Sequence, residues 1–357
     1  MTQRFDRLVV DRRQWLAGAS AVAGGAFTSS LAGGDAQAQS GQIVVSNWGG
    51  DWNDRTMKLM EKPLVEARGV RIVRDLGLEP ERKAKLLAER KLPRGTVDIA
   101  HLNDSDAFEM NSHGVAEELD FSKIPNAKDI VPALRKPYAI PWLYSGVVII
   151  YNKDKVKEPP KAYKDLWDAK FAGRVGFTNQ LYFNYMMISS LVDSGDLTSV
   201  EKGREKLVDL RSRVQPRIYA THQQMQAALA SGEVDVVLNY KARGLQWIKD
   251  GLPLAIAYPE EGAVSVTFGA VMPKRAPNKE AGYLYLNSML DPKAMADLAA
   301  ASFYAPANGA AQLDADLRAR IDFSEAERAR LKFPDYAYVA KNTAEWLEWW
   351  NKNVARS

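Results

Sequence analysis

The most constraining feature of the chain is an alternation of short β-rich runs with amphipathic stretches. Residues 42–47 (Gln-Ile-Val-Val-Ser-Asn) make a strand-like run that ends in Trp48-Gly49-Gly50. A helical stretch follows over 51–68, with Asp51 or Asn53 as its cap, Met57, Leu59, Met60, Leu64 and Val65 as its apolar stripe, and Gly69 as its stop. Pro63 inside it predicts a kink or a split, because proline has no N–H to give the helix. Residues 70–74 form the next strand, 81–90 a charged helix and 97–102 a third strand. Consecutive strands separated by single helices cannot pair as hairpins, so this order demands a parallel sheet covered by helices.

The pattern then changes. Residues 147–151 are β-branched or aromatic throughout, as suits a buried strand running between two lobes. A second β/α set follows: a strand near 173–178, helices at 183–193 and 200–213, a short helix at 225–230, a strand at 234–239 and a helix at 241–249. Residues 262–272 are β-rich and are expected to return to the first lobe, ahead of helices at 278–290 and 293–302. The last helix, 339–354, carries Trp346, Trp349 and Trp350. At 357 residues the chain is too long for one small core. The expected organisation is a leader over 1–38, lobe 1 over 39–148, lobe 2 over 149–262, a return to lobe 1 over 263–303 and a C-terminal segment, 304–357, packing on lobe 2.

The leader reads as an export signal. Arg4, Arg7, Arg12 and Arg13 precede an Ala/Gly-rich apolar run, and Ala36-Gln37-Ala38 supplies a small-x-small cleavage site. Asp11-Arg-Arg-Gln-Trp-Leu16 resembles a twin-arginine signal, and the apolar run is too interrupted by Gly, Ser and Thr for a stable membrane span. The expected destination is the periplasm.

Composition narrows the chemistry. With no Cys there is no thiolate nucleophile, iron–sulfur cluster or cysteine zinc site, and the three His are scattered. A net charge of +4 with dispersed basic residues does not describe a nucleic-acid binder. No Gly-x-Ser-x-Gly, His-Glu-x-x-His, Walker loop or Gly-x-Gly-x-x-Gly occurs. Asp104 and Asp106 follow a strand and offer, on paper, the carboxylate pair of an exported hydrolase. The strand ends carry mainly aromatics and amides: Trp48 and Gly49, then Asn103, Asp104 and Ser105, then Tyr144, then Thr178, Asn179, Gln180, Tyr182 and Phe183, then Asn239 and Tyr240. Aromatic walls with a few polar groups suit a small-molecule cleft between lobes.

An ordered set of segments resembles the spermidine/putrescine-type periplasmic solute-binding proteins of ABC importers. The segments are Val45-Ser-Asn-Trp-Gly-Gly-Asp-Trp52, Tyr138-Ala-Ile-Pro-Trp-Leu-Tyr144, Asp165-Leu-Trp-Asp-Ala-Lys-Phe-Ala-Gly-Arg174, Ala227-Ala-Leu-Ala-Ser-Gly-Glu-Val-Asp235, Tyr258-Pro-Glu-Glu-Gly262 and Ala305-Pro-Ala-Asn308. The resemblance implies an α/β fold of the two-lobed, type II periplasmic binding protein kind, each lobe a helix-covered mixed sheet, closing like a hinge on a ligand in the cleft. It implies no catalysis, no cofactor and no metal. The partners it implies are a small-molecule solute and an inner-membrane ABC permease, with the binding protein itself a monomer.

Carried over, Trp48 and Tyr304 match aromatics of the family's polyamine pocket. Where that pocket has acids, this chain has Asn179, Gln180, Tyr182 and Phe183 after one strand and Phe268 in the return strand, and Lys241 and Arg243 stand just after Asn239. An ammonium ion in a closed cleft needs an opposite charge. The sequence therefore points to an anionic or zwitterionic organic solute, with a polyamine as the alternative and a hydrolase using Asp104 and Asp106 as the second alternative. Candidate contacts are Trp48, Gly49, Asn103, Asp104, Ser105, Tyr144, Gln180, Tyr182, Phe183, Asn239, Lys241, Arg243, Phe268 and Tyr304.

Replacing Arg12 and Arg13 together by Lys is expected to stop export through a twin-arginine route, and N-terminal sequencing of the exported wild type is expected to begin after Ala38. Normal export of the double variant would assign the general secretory route instead.

Overall fold

The computed structural model describes residues 41–355, so the expected leader lies outside the described residues. The chain opens with β1 (Gln42–Asn47), α1 (Gly50–Thr56), β2 (Arg71–Leu76), α2 (Glu79–Glu89), β3 (Ile99–Asn103) and α3 (Asp104–Ser112). β1 pairs in parallel with β2 on one side and β3 on the other, as the alternation requires. The stretch expected as one helix over 51–68 is divided. α1 runs into a π-helical segment, Met57–Val65, and a 3-10 turn, Glu66–Arg68. Pro63 lies inside the wider π-helical segment, where the i→i−4 ladder that its missing N–H would break is already relaxed.

β4 (Ile140–Asn152) begins the passage to the second lobe. That lobe holds β5 (Val175–Thr178), α4 (Tyr182–Ser194), α5 (Val200–Val214), β6 (Arg217–Tyr219), α6 (His222–Ser231), β7 (Val236–Tyr240), α7 (Lys241–Lys249) and β8 (Leu254–Ala257). The chain returns as β9 (Ser265–Val271), α8 (Lys279–Met289), α9 (Pro292–Ser302) and β10 (Ala305–Pro306). It ends in α10 (Ala315–Ile321), α11 (Glu325–Arg328) and α12 (Tyr336–Trp350).

The strand order is β2-β1-β3-β9-β4-β7-β5-β6, with β8 and β10 also on β4. β4 belongs to both lobes. Its residues from Ile140 to Gly146 pair antiparallel with β9, and those from Val147 onward pair with β7 and β8. The register slips by one residue between Pro141 and Leu143, a bulge that accommodates the proline's missing donor. Opposite the bulge stands Gly269, where a Cβ would collide with the Ile140 carbonyl.

Each lobe has its own core. In lobe 1, Ile43, Val45, Ile99, Trp142, Tyr285 and Leu286 pack between sheet and helices. In lobe 2, Phe177 stacks on Tyr185 with centroids 4.3 Å apart, and Trp350 closes over Tyr185 at 5.6 Å. The Trp350 indole N–H donates to Asn179 Oδ1 at 2.9 Å, so the aromatic-rich last helix fills lobe 2. The C-terminal segment is not confined to that lobe, because α12 also lies against α3 and β10 pairs with β4 at Tyr144 and Leu143.

The α4–α5 pair shows how tightly lobe 2 is packed. A Cβ at Gly203 of α5 would sit 2.5 Å from the Ser190 backbone nitrogen of α4. Gly203→Ala should therefore lower stability by about 1–3 kcal/mol, the usual cost of overpacking. Thermal melts of the two proteins check this, and an unchanged midpoint would show that α5 shifts freely.

Candidate functional site

The site forms where strands end. Asn47 Oδ1 accepts the Trp48 N–H at 2.8 Å, a local side-chain turn that stops β1 and lifts Trp48 onto the carboxyl edge of the sheet. Trp52, one turn later on α1, meets Trp48 edge to face at 5.6 Å. Phe268 of β9 is in register with Asn103 at the end of β3 and lies 5.7 Å from Trp48 and 5.6 Å from Trp52. Tyr304, just after α9, adds a ring 5.3 Å from Phe268. Tyr240 ends β7 in lobe 2 and reaches Phe268 across the cleft at 6.0 Å and 87°. Five rings from separate elements thus converge, mostly in the T-shaped arrangement that aromatic quadrupoles favour.

A charged cluster borders the Trp48 end. Asn103 caps α3 by accepting the Asp106 N–H, and its Nδ2 donates to Glu79 Oε1 and Asp106 Oδ2, both at 3.0 Å. Two carboxyls therefore share one amide. Burial, and then the neighbouring Asp106, push the Glu79 carboxyl up to about 8, with Arg82 pulling the other way. Lys83 is shared between Asp106 and Glu109 at 2.6 Å each. Arg82 lies over the Trp48 ring at 4.7 Å, anchored to the Gly77 and His101 carbonyls. Asp104 accepts from Ser105 N, Thr267 N and the Tyr336 hydroxyl; burial still raises its carboxyl to about 6.

Lobe 2 brings His222 and Arg243. Asn239 Nδ2 donates to His222 Nδ1 at 2.9 Å, and burial, aided by Arg243, lowers His222 to about 3, so its ring is neutral. Arg243 Nη1 donates to Gln246 Oε1, and Gln246 in turn donates to the Ser302 carbonyl of lobe 1. Arg243 thus stands in the seam between α7 and the end of α9, beside Tyr304.

The structure gathers some of the expected contacts and disperses others. Trp48, Phe268 and Tyr304 form the aromatic floor, Arg243 sits at its edge, and Gly49 begins the exposed turn into α1. Asn103, Asp104 and Ser105 are at the cleft but are largely occupied with capping α3 and tying β9 and α12 to it. The Tyr182 hydroxyl donates to the Thr343 carbonyl of α12 at 3.3 Å, its ring meets Phe183 edge to face at 5.8 Å, and it lies close enough to Lys83, Asp106 and Glu109 to feel their charges.

Gln180 is exposed and accepts the His222 N–H, and Asn239 is fully buried behind Tyr240. Tyr144 is corrected: its hydroxyl donates to Asp322 at 2.6 Å, away from the floor, because alternate residues of β4 point to opposite faces. Lys241 is corrected too, since its ammonium donates to the Asp322 carbonyl and lies over Phe323.

Trp52, Glu79, Arg82 and Tyr336 were not singled out from the sequence. Trp52 repeats Trp48 at helical spacing, and Glu79 opens the helix after β2, so the strand-end rule covers both. Tyr336 arrives from a distant segment and carries no local signal. Among the described residues, no group of three His, Cys, Asp or Glu is arranged to hold a metal ion, and no helix is long and apolar enough to cross a membrane.

Known proteins share this architecture. The putrescine-binding periplasmic protein of Escherichia coli strain K12 is 27% identical over 332 residues, covering 84% of this chain and 85% of that one. The spermidine/putrescine-binding periplasmic protein of the same strain is 25% identical over 264 residues, covering 71% of this chain and 72% of its own. The solved structure of a GABA receptor superposes with a TM-score of 0.78 at 22% identity, covering 88% of this chain and 98% of that one, a likeness of fold. Residues 60–325 match the family described as bacterial extracellular solute-binding proteins, and with most of its length inside that match and the two-lobed fold in place, the chain belongs to this family.

Proposed function

We propose that the cleft captures a small amine-bearing solute of the polyamine class and that the loaded protein delivers it to an inner-membrane ABC permease. The observation that carries this reading is the pair of carboxyls, Glu79 and Asp106, held on one Asn103 amide at the edge of the aromatic floor. Lys83 is already shared by Asp106 and Glu109, and Arg82 only partly offsets Glu79, whose carboxyl is held up to about 8. An ammonium group placed there supplies the missing positive charge, and the rings take its methylene chain and add cation–π attraction. The relatives named for putrescine and spermidine support the same class.

Of the two cations that pointed to an anionic solute, Lys241 is turned away and Arg243 remains. The hydrolase reading loses its support from geometry. Asp104 is committed to Ser105, Thr267 and Tyr336, and Asp106 to Lys83 and Asn103, so neither is placed as a free base. We read the chain as a non-catalytic, monomeric periplasmic binder, exported by its leader, cleaved after Ala38 and closing about residues 146–152 and 264–272.

Titration calorimetry with putrescine and spermidine is expected to show binding. Glu79→Gln should weaken it roughly 30-fold or more, since loss of one partner of a buried charge pair typically costs about 2–5 kcal/mol. The pH dependence follows from the raised carboxyl. Near pH 7 Glu79 is mostly protonated and must release its proton to hold an ammonium, so affinity should rise as pH rises through about 8 and then level off. In Glu79→Gln that dependence should vanish. Tight binding of organic anions with none of amines would sink the reading, and small-angle scattering that shows no compaction on saturation would count against closure.

A further inference from the structure

The aromatic floor has two differently charged ends. The Glu79–Asp106 pair lies at the Trp48 end. From Trp48 the floor runs 5.7 Å to Phe268 and another 5.3 Å to Tyr304. At the Tyr304 end stands Arg243. One of its hydrogen bonds, from Nη1 to Gln246, holds the guanidinium in place. Its Nε–H is buried and has no acceptor among the described residues. Leaving such a donor unmet is unfavourable, and more so on a charged group. Tyr304 lies within hydrogen-bonding reach of the guanidinium but keeps its proton, and His222 is neutral, so neither supplies the negative charge that would balance Arg243.

Arg82 also carries a buried nitrogen without a partner, but it is fixed to two backbone carbonyls beneath Trp48, at the carboxylate end, where it offsets Glu79. Beside Tyr304 the charged groups are Arg243 and the Asp51–Arg55 ion pair, whose charges already match each other at 2.9 Å, so Arg243 is the unbalanced cation at that end of the floor. A diamine that seats one ammonium at Glu79 would bring its second towards this guanidinium, a like-charge contact in a water-poor cleft.

We propose that the solute is amphoteric, an ammonium and a carboxylate joined by a short apolar chain, and that Arg243 is the specificity residue that receives the carboxylate. The proposal rests on the amine reading above for its ammonium subsite, and it replaces the second ammonium of a polyamine by a carboxylate. A planar guanidinium offers a carboxylate two parallel N–H donors, which lysine cannot. The seam position has a further consequence. Arg243 is carried by lobe 2 and Glu79 by lobe 1, so one amphoteric molecule would tie the lobes together through its two ends.

The test is calorimetry with putrescine, 4-aminobutanoate and succinate, and with their five- and six-carbon counterparts, on the wild type, Arg243→Gln and Glu79→Gln. At the best length the amino acid should bind the wild type at least roughly tenfold tighter than the diamine or the diacid. Arg243→Gln should weaken the amino acid by roughly 30-fold or more and leave the diamine unchanged or tighter. Glu79→Gln should weaken both. Should the diamine match the amino acid and Arg243→Gln alter neither, the second pole is refuted while the amine reading stands. Should only the diacid bind, both are refuted. If melts show Arg243→Gln to be unfolded, Arg243→Lys takes its place, and full retention of amino-acid affinity in that variant would overturn the role given to the guanidinium fork.

Discussion

One strand holds the molecule together. β4 must satisfy its backbone hydrogen bonds in two lobes at once, and all of its residues except Tyr151 are buried. A buried backbone group without a partner is costly, so the run from Ile140 to Asn152 has little freedom to change its pairing. Its first half fixes β9, and through β9 it fixes β3 and the end of β3 where Asn103 stands. Its second half fixes β7, and so Tyr240. The distance between the two walls of the cleft is set by the strand that both walls share.

The site inherits its polarity from this frame. Strand ends and helix starts meet along one edge, and the side chains there do double duty. Asn103 caps a helix and also gathers two carboxyls, while Asp104 ties β9 and α12 to α3. Such groups are held by the fold before any ligand arrives, which reduces the ordering that binding requires. The aromatic rings supply area that is rigid and only partly polar, and charged groups stand at each end of the floor. α12 reaches both lobes, through Asp104 on one side and Tyr182 on the other, so the end of the chain lies across the junction as well.

Several elements were legible because their signal is local. The β/α alternation over 42–102, the apolar strand over 147–151 and the helices expected at 183–193, 225–230 and 241–249 all appear, the last three as α4, α6 and α7. β6, β8 and β10 were not legible. They are short, and their pairing with β5 or β4 is decided by neighbours distant in sequence. Pro63 marked a disturbance in the helix after β1, but a π-helical segment and a kinked helix carry the same proline, and only packing chooses between them.

For the site, sequence determined the inventory and the tertiary structure determined the direction. The strand-end rule pointed to Trp48 and Asn103, because a chain that folds as an open α/β sheet presents its strand ends along one edge, while Phe268 and Tyr304 came from the family resemblance. Strand-end placement also selected Tyr144, and the comparison with the polyamine pocket selected Lys241; both point to Asp322 instead. Which face a strand residue takes depends on register, and register is set by pairing across the whole sheet. Likewise, Glu79 and Asp106 are ordinary acids in the sequence, and they become neighbours only when α2 and α3 place both on one amide. Charge can be counted along a chain, but the field at a point in a cleft depends on distances that only the folded chain defines.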